Sequence, residues 1–116
     1  STDFNAISGP DYVTDTWSDA WENDAEAQQN GFISAYASSE ANEDFVELLS
    51  IYVTNPASYW NNVIQNAGAG ADKIQAKFEI VYNYMLNSWN IDLNELRDVI
   101  QERQAQIGTL DLETLN

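Results

Sequence analysis

Apolar residues recur every three or four positions through most of the chain after residue 40, and this period constrains the fold more than any other feature. The clearest run extends from about Asp72 to Trp89. Its apolar face consists of Ile74, Phe78, Val81, Tyr82, Met85 and Trp89. Because this spacing matches the turn of a helix and not the alternation of a strand, it predicts an amphipathic helix packed against a core.

Three further runs have the same period. They predict helices near residues 40–53, 56–67 and 93–106, the last of which stops near Gly108. Together with 72–89 they predict an all-α fold, a compact bundle of about four main helices without strands. The length suits one core, so residues 1–116 are expected to form a single helical domain.

Both ends of the chain lack this period. Residues 1–10 are polar and contain the pair Gly9-Pro10, which predicts an irregular N-terminal segment with little helix. Residues 109–116 carry no helical signal of useful length, which predicts a loose tail.

Two short helices are predicted between residues 11 and 31. Trp17 and Trp21 are four positions apart, so both would fall on one face of the first. In the second, Asn23 is the N-cap, Glu26 stands at the capping-box position and Gly31 terminates the helix. The tryptophans suit either core packing, which is the commoner case, or a platform for stacking sugars.

Charge narrows the classes of function. The chain has 4 basic and 19 acidic residues, a net charge of −15, and residues 1–72 contain no base. Such a surface repels phosphate backbones and anionic lipid heads, so neither a nucleic-acid partner nor electrostatic adsorption to membranes is expected. Four aspartates fall at positions 11, 15, 19 and 24. Their spacing lacks the ligand pattern of an EF-hand, which favours a solvated acidic face over a calcium site.

Neither cysteine nor histidine occurs in the sequence. Disulfides and thiolate chemistry are therefore excluded, and no imidazole is present as a base or a metal ligand. No apolar run has the length of a membrane span, so direct membrane insertion is not expected. No signal-peptide pattern is present, so the chain is expected to be mature or excised from a longer one.

The candidate functional residues lie in the stretch G-F-I-S-A-Y-A-S-S-E-A-N-E-D-F-V-E, residues 31–47, which passes from a loop into a helix. Glu43 and Glu47 are one turn apart on one side of that helix, and Tyr36 precedes it in the loop. From the residues alone, the two glutamates suit a solvated acidic face, and Tyr36 suits a half-buried core position.

Six positions of this stretch follow the form Y-x-x-(S/T)-x-x-x-E-(D/F)-F-x-E. The residues that match are Tyr36, Ser39, Glu43, Asp44, Phe45 and Glu47. The stretch resembles the second half of the active site in HExxH zinc metallopeptidases that use glutamate as third zinc ligand. The nearest resemblance is to the zinc-binding metallopeptidases and substrate import-associated zinc metallohydrolase lipoproteins of Bacteroides-type bacteria, and lethal-factor-like peptidases are more distant. The run W-N-I-D-L-N-E-L-R, residues 89–97, resembles the end of the same proteins.

This resemblance implies the C-terminal subdomain of a gluzincin-like metallopeptidase, and it implies roles for three residues. Glu43 corresponds to the third zinc ligand, an anionic oxygen beside two neutral imidazoles. Glu47 corresponds to a carboxylate that accepts a hydrogen bond from the far nitrogen of a ligating histidine. Tyr36 corresponds to a catalytic tyrosine whose hydroxyl donates to the oxyanion of the tetrahedral intermediate.

The absence of histidine means that this chain does not contain the H-E-x-x-H motif. The resemblance therefore implies that an upstream part of the same polypeptide is its partner and supplies two imidazoles and the general base. Zinc is expected as the cofactor of the intact parent, and none is expected for this chain alone, which should be inactive in isolation.

The resemblance also implies a location and a biological setting. The parent is expected to be secreted across the inner membrane as a periplasmic or cell-surface lipoprotein of the outer membrane, active in nutrient uptake. Its substrate, peptide or glycan-linked, is not identified by the sequence.

A second hypothesis is a complete, non-catalytic all-α binding or interaction module. It would engage carbohydrate or a partner protein through its tryptophan and tyrosine side chains. The presence or absence of H-E-x-x-H in the upstream polypeptide distinguishes the two hypotheses.

Overall fold

The computed structural model describes the backbone of residues 2–115 and the side chains of residues 3–107. Within residues 2–115 the chain forms seven α-helices and three 3₁₀ turns and contains no strand, which confirms the all-α prediction. The helices are α1 (Thr2–Ser8), α2 (Trp17–Ala20), α3 (Asp24–Gln29), α4 (Ala41–Thr54), α5 (Ala57–Asn66), α6 (Ala71–Trp89) and α7 (Leu93–Leu115). The 3₁₀ turns are Gly9–Asp11, Tyr36–Ser39 and Gly68–Gly70.

The four long helices are those predicted from the helical period. The ends of α4, α5 and α6 lie within one residue of the predicted ones. The start of α7 is also as predicted, because the Asp92 carboxylate accepts hydrogen bonds from the amides of Asn94 and Glu95 at 2.9 and 3.1 Å and so caps the helix. None of the helices in residues 2–115 combines the length and the apolar character needed to cross a bilayer.

The predictions for the two ends of the chain are wrong. The N-terminal segment is helical as α1, and its Phe4 is fully buried and packs against the ring of Phe45 at a centroid distance of 5.8 Å. Phe4 and Ile7 are its only large apolar residues, and two positions are too few to establish a helical period in the sequence. At the other end, α7 continues beyond Gly108 to Leu115 where a loose tail was predicted, and Asn116 lies outside the described residues. One glycine is tolerated inside a helix at a cost of about 1 kcal/mol relative to alanine, so it did not stop α7.

The short helices correct a second prediction. Trp17 opens α2, but Trp21 follows its last residue with an extended backbone, so the two tryptophans do not share a helix face. The cap of α3 is as predicted, since the Asn23 side chain accepts a hydrogen bond from the Glu26 amide at 2.9 Å. Gly31 ends this segment with a positive φ of 95°, a conformation that glycine adopts without a Cβ clash.

The core lies around α4, which packs against α1, α6, α7 and the turn Tyr36–Ser39. Four aromatic rings from α4, α5 and α6 meet in one cluster with centroids 4.3 to 5.9 Å apart: Tyr52, Trp60, Phe78 and Tyr82. The buried apolar residues are Phe4, Ala27, Phe32, Ile33, Ala37, Leu48, Tyr52, Val53, Val63, Ala67, Ile74, Val81 and Leu93. The core therefore draws on all four long helices and on the loop before α4.

Candidate functional site

The start of α4 and the 3₁₀ turn Tyr36–Ser39 before it hold the residues predicted to carry function. Glu40 joins the two elements with an extended backbone, and Glu43 and Asp44 lie in the first turn of α4. Negative charge is favourable at this end of a helix, where the amide groups point outward without intrahelical partners.

Side chains of α4 divide between two faces. Asp44 and Leu48 point into the core and are 0 % exposed. Glu43 and Glu47 lie on the other side and are partly exposed, and Val46 between them is 57 % exposed. The two glutamates thus share an accessible face, as their spacing predicted.

Tyr36 lies beside this face and is 39 % exposed, so it does not occupy the core position considered for it. Its pKa is raised, first by hydrogen bonding to Glu43, then by partial burial and by the negative charges of Glu43, Glu40 and Glu47. The Tyr36 hydroxyl therefore stays protonated at neutral pH and can donate a hydrogen bond. Its ring meets the edge of Trp17 at a centroid distance of 5.1 Å, which holds the ring in place.

Glu47 is oriented by a residue that the sequence prediction missed. The nearly buried Ser34 donates from its Oγ to Oε2 of Glu47 at 3.2 Å. The same Oγ accepts a hydrogen bond from the amide of Ala37 at 3.1 Å. Ser34 thereby connects the loop to the second carboxylate of the face, and its only sequence signal was its place in the stretch 31–47.

Trp21 packs against the side of the loop that faces the core. Trp21 donates from Nε1 to Oγ of Ser38 at 2.9 Å, and its ring packs against Phe32 at 6.1 Å. The amide of Val13 donates to the carbonyl oxygen of Ser38 at 2.8 Å. Asp24 accepts from the amide of Ala35 at 2.8 Å. The hydrogen bond and the ring contact of Trp21 make it a packing residue and not a stacking platform.

Beneath the site lies an ion pair that the sequence analysis did not predict. Nζ of Lys77 is 2.7 Å from Oδ2 of Asp44, and both side chains are 0 % exposed. The Tyr12 hydroxyl donates to the same oxygen at 2.6 Å, and Lys77 also donates to the carbonyl oxygen of Gly31 at 2.8 Å. Lys77 occupies the buried face of α6 between Ile74 and Val81, so its helical register was a signal that could have identified it.

Burial dominates the protonation of this pair. It raises the pKa of Asp44 and lowers the pKa of Lys77, and the attraction between the two charges opposes both shifts. The Lys77 ammonium also lies 4.3 Å from the centroid of the Phe32 ring, a cation–π contact that compensates for part of the lost hydration. The second oxygen of Asp44, Oδ1, is buried without a hydrogen-bond partner among the described residues.

The acidic side chains of the described residues do not assemble into a metal site. Among the side chains of residues 3–107, no group of three or more His, Cys, Asp and Glu could hold a metal ion. The calcium alternative for the N-terminal aspartates is not supported, because Asp11 pairs with Lys73 at 3.3 Å and Asp24 binds the loop backbone. Glu43 offers a single carboxylate, and with no histidine in the sequence no imidazole ligand is present in this chain.

Comparison with known proteins identifies the class to which this fold and site belong. The profile of the family described as "Putative zinc-binding metallo-peptidase" matches residues 1–94, so the chain belongs to that family. No curated protein matches the chain.

A solved structure gives a more particular likeness. The chain is similar to the crystal structure of a putative zinc-binding metallo-peptidase from Bacteroides caccae ATCC 43185, with 36 % sequence identity and a TM-score of 0.86. The match covers 97 % of this chain and 42 % of that one, so the chain spans less than half the length of its structural relative. The family resemblance predicted from residues 31–47 and 89–97 is confirmed.

Proposed function

We propose that this chain is the portion of a zinc metallopeptidase that supplies the third metal ligand and an oxyanion-stabilising tyrosine. The carrying observation is that Tyr36 lies in the turn directly before α4, beside the accessible face on which Glu43 and Glu47 are one helical turn apart. Family membership supports the proposal, because a zinc peptidase needs an anionic metal ligand and a donor to the developing oxyanion, and a carboxylate and a phenol have these two chemistries.

The remaining ligands would come from outside this chain. Its partner in the proposal is the upstream, H-E-x-x-H-bearing part of the same polypeptide, and the 42 % coverage of the structural relative leaves room for such a part. When bound, zinc in a site of this kind supplies Lewis acidity and an activated water. Glu43 would contribute the anionic ligand, and this chain alone would be inactive.

Glu47 and Tyr36 would act on either side of that ligand. Glu47, held by Ser34, would accept a hydrogen bond from the far nitrogen of a ligating imidazole and fix the orientation of its ring. Tyr36 would donate its hydroxyl proton in a hydrogen bond to the oxygen that becomes negative as the scissile carbonyl is attacked. The donor must be protonated at neutral pH, as an ordinary tyrosine already is, and the upward shift of the Tyr36 pKa keeps it so.

The family resemblance also supports a proposal for the location and the substrate of the parent protein. The parent would be a secreted lipoprotein of the outer membrane, in the periplasm or at the cell surface, with a role in nutrient uptake. Its substrate would be a peptide or a glycan-linked compound.

Three substitutions in the longer polypeptide test the proposal. Glu43→Ala removes a ligand, so bound zinc and activity should be lost together. Glu47→Ala leaves the ligands in place but frees a histidine to turn, so metal affinity or activity should fall by roughly 10- to 100-fold. Tyr36→Phe keeps the ring, so zinc content should persist while turnover falls by about 10² to 10³. Zinc per mole and turnover are measured on each purified variant.

Glu102→Ala, which removes an exposed glutamate from α7, is the matched control and should retain both zinc and turnover. Full zinc stoichiometry in Glu43→Ala, or full turnover in Tyr36→Phe, would contradict the assigned roles. An upstream sequence without H-E-x-x-H would instead favour a non-catalytic module that binds carbohydrate or a protein partner.

A further inference from the structure

The buried pair of Asp44 and Lys77 connects four separate segments directly beneath the proposed site. Asp44 belongs to the first turn of α4, next to Glu43, and Lys77 belongs to α6. Tyr12 reaches the pair from the segment before α2, and the Gly31 carbonyl reaches it from the loop that carries Tyr36. Both parts of the site, the helix and the loop, are therefore hydrogen-bonded to one pair of buried charges.

Stability alone does not account for charged groups at this place. Removing a carboxylate and an ammonium from water is costly, and well-packed apolar residues of similar volume are often as stable or more stable. The cost is higher here because Oδ1 of Asp44 has no partner within the described residues. A buried ion pair instead fixes the relative orientation of the elements that carry it, because its hydrogen bonds form in one geometry only. Apolar contacts allow packed helices to shift relative to one another.

The consequence for the site follows from helix geometry. Successive residues of an α-helix differ in direction by about 100° around its axis, so the direction of Asp44 determines the direction of Glu43. Lys77 bonds to Asp44 and to the Gly31 carbonyl with distances of 2.7 and 2.8 Å. The Lys77 ammonium thus connects the orientation of α4 about its axis to the start of the loop that ends at Tyr36.

We propose that Asp44, Lys77 and Tyr12 are positioning residues that hold the Glu43 face of α4 in register with the loop bearing Tyr36. Their effect on zinc affinity and turnover rests on the proposed function, while their effect on the loop does not. None of the three would touch substrate.

A double variant separates positioning from simple support of the fold. Lys77→Met alone leaves the Asp44 charge buried without its partner, so the denaturation midpoint should fall markedly. Asp44→Val combined with Lys77→Met removes both charges, and its midpoint should return close to that of the unchanged chain. Lys73→Met is the matched control on the same helix, because its pair with Asp11 is exposed at 43 % and 50 % and should contribute little.

The first measurement uses this chain by itself and needs no zinc. Amide hydrogen exchange is followed at Ala37 and Ser38, whose amides bond within the loop to Ser34 and Ala35. In the double variant these amides should exchange at least about tenfold faster at unchanged global stability. Unchanged exchange in a double variant of normal stability would overturn the proposal.

Tyr12→Phe keeps the test decisive if the double variant does not fold. It deletes one hydrogen bond to Asp44 and leaves the ring in its contact with Phe32, so exchange at the two amides should rise to a smaller extent. No rise in a folded Tyr12→Phe chain would count against the proposal.

The second measurement uses the longer polypeptide. There the double variant should bind zinc about tenfold more weakly and turn over more slowly with little change in KM, as expected when ligand orientation is lost. Normal zinc affinity and turnover in a variant with a loosened loop would refute the link to the site. Failure of the proposed function would look different, since Glu43→Ala itself would then leave zinc and turnover unchanged.

Discussion

Glu43 and Asp44 are adjacent acidic residues with opposite environments. Glu43 lies on the accessible face of α4 beside Tyr36, whereas Asp44 is 0 % exposed and paired with Lys77. The difference arises because consecutive helical residues point about 100° apart, and α4 is turned so that Asp44 faces the core while Glu43 faces its accessible side. Both residues belong to the matching motif of residues 36–47. Only the packing of α4 shows that one is accessible and the other is part of the core.

The closeness of Tyr36 and Glu43 can be tested by titration. Glu43→Gln removes the hydrogen-bonded negative charge that disfavours the phenolate, so the raised pKa of Tyr36 should fall towards the ordinary value of about 10. The measurement is the pH dependence of the Tyr36 Cζ resonance in a chain with ¹³C-labelled tyrosine, assigned with Tyr36→Phe.

Glu102→Gln is the control for this titration, because it removes the same charge from an exposed position on α7 and should leave the pKa of Tyr36 unchanged. An equal Tyr36 pKa in the unchanged chain and in Glu43→Gln would show that the two side chains do not interact in solution.

Among the elements, the short ones depend most on contacts with the rest of the fold. Helix α1 follows from the burial of Phe4, and the extended backbone at Trp21 accompanies the hydrogen bond of its indole to Ser38. Gly70, in the 3₁₀ turn before α6, lies against α3 so closely that a Cβ there would come within 2.0 Å of the Gln28 carbonyl oxygen. The junction of α3 and α6 therefore requires glycine at this position.

Gly70→Ala should destabilise the chain by about 1–3 kcal/mol, the usual cost of forcing an extra group into a packed contact. Gly9→Ala is the matched control, because its added Cβ would meet the nearest atom, in Asn5, at an ordinary 3.7 Å. Urea denaturation of both variants measures the difference. A Gly70→Ala midpoint equal to that of the unchanged chain would mean that α3 does not pack against this turn.

Across the whole molecule, the few basic side chains are largely committed to internal contacts. Lys77 is buried, Lys73 pairs with Asp11, and Arg97 lies over the Tyr52 ring at 4.5 Å. With a net charge of −15, most of the surface is left acidic. Such a surface attracts cations diffusely but does not by itself arrange the neutral imidazole ligands that zinc prefers.

The chain by itself should bind zinc no better than a generic acidic surface does. Glu43 would be one ligand in the proposal, and no group of three ligating side chains is present among residues 3–107. Titration calorimetry at neutral pH should therefore show weak, unsaturated heats. One saturable site of micromolar or tighter affinity would contradict this prediction and indicate an all-carboxylate site, which suits calcium better.

The sequence by itself determined the all-α class, the bounds of α4 to α6, the start of α7, the cap at Asn23, and the family. These features depend on residues within one or two helical turns of each other, or on a short local motif, so they can be predicted from the sequence. Tertiary structure alone decided the helicity of α1, the place of Trp21 and the pairing of Asp44 with Lys77. Tyr12 and Asp44 are 32 positions apart, and Gly31 and Lys77 are 46 apart. The periodicity of a single helix does not predict which distant residue a buried side chain will contact, because those contacts form only when the helices pack together.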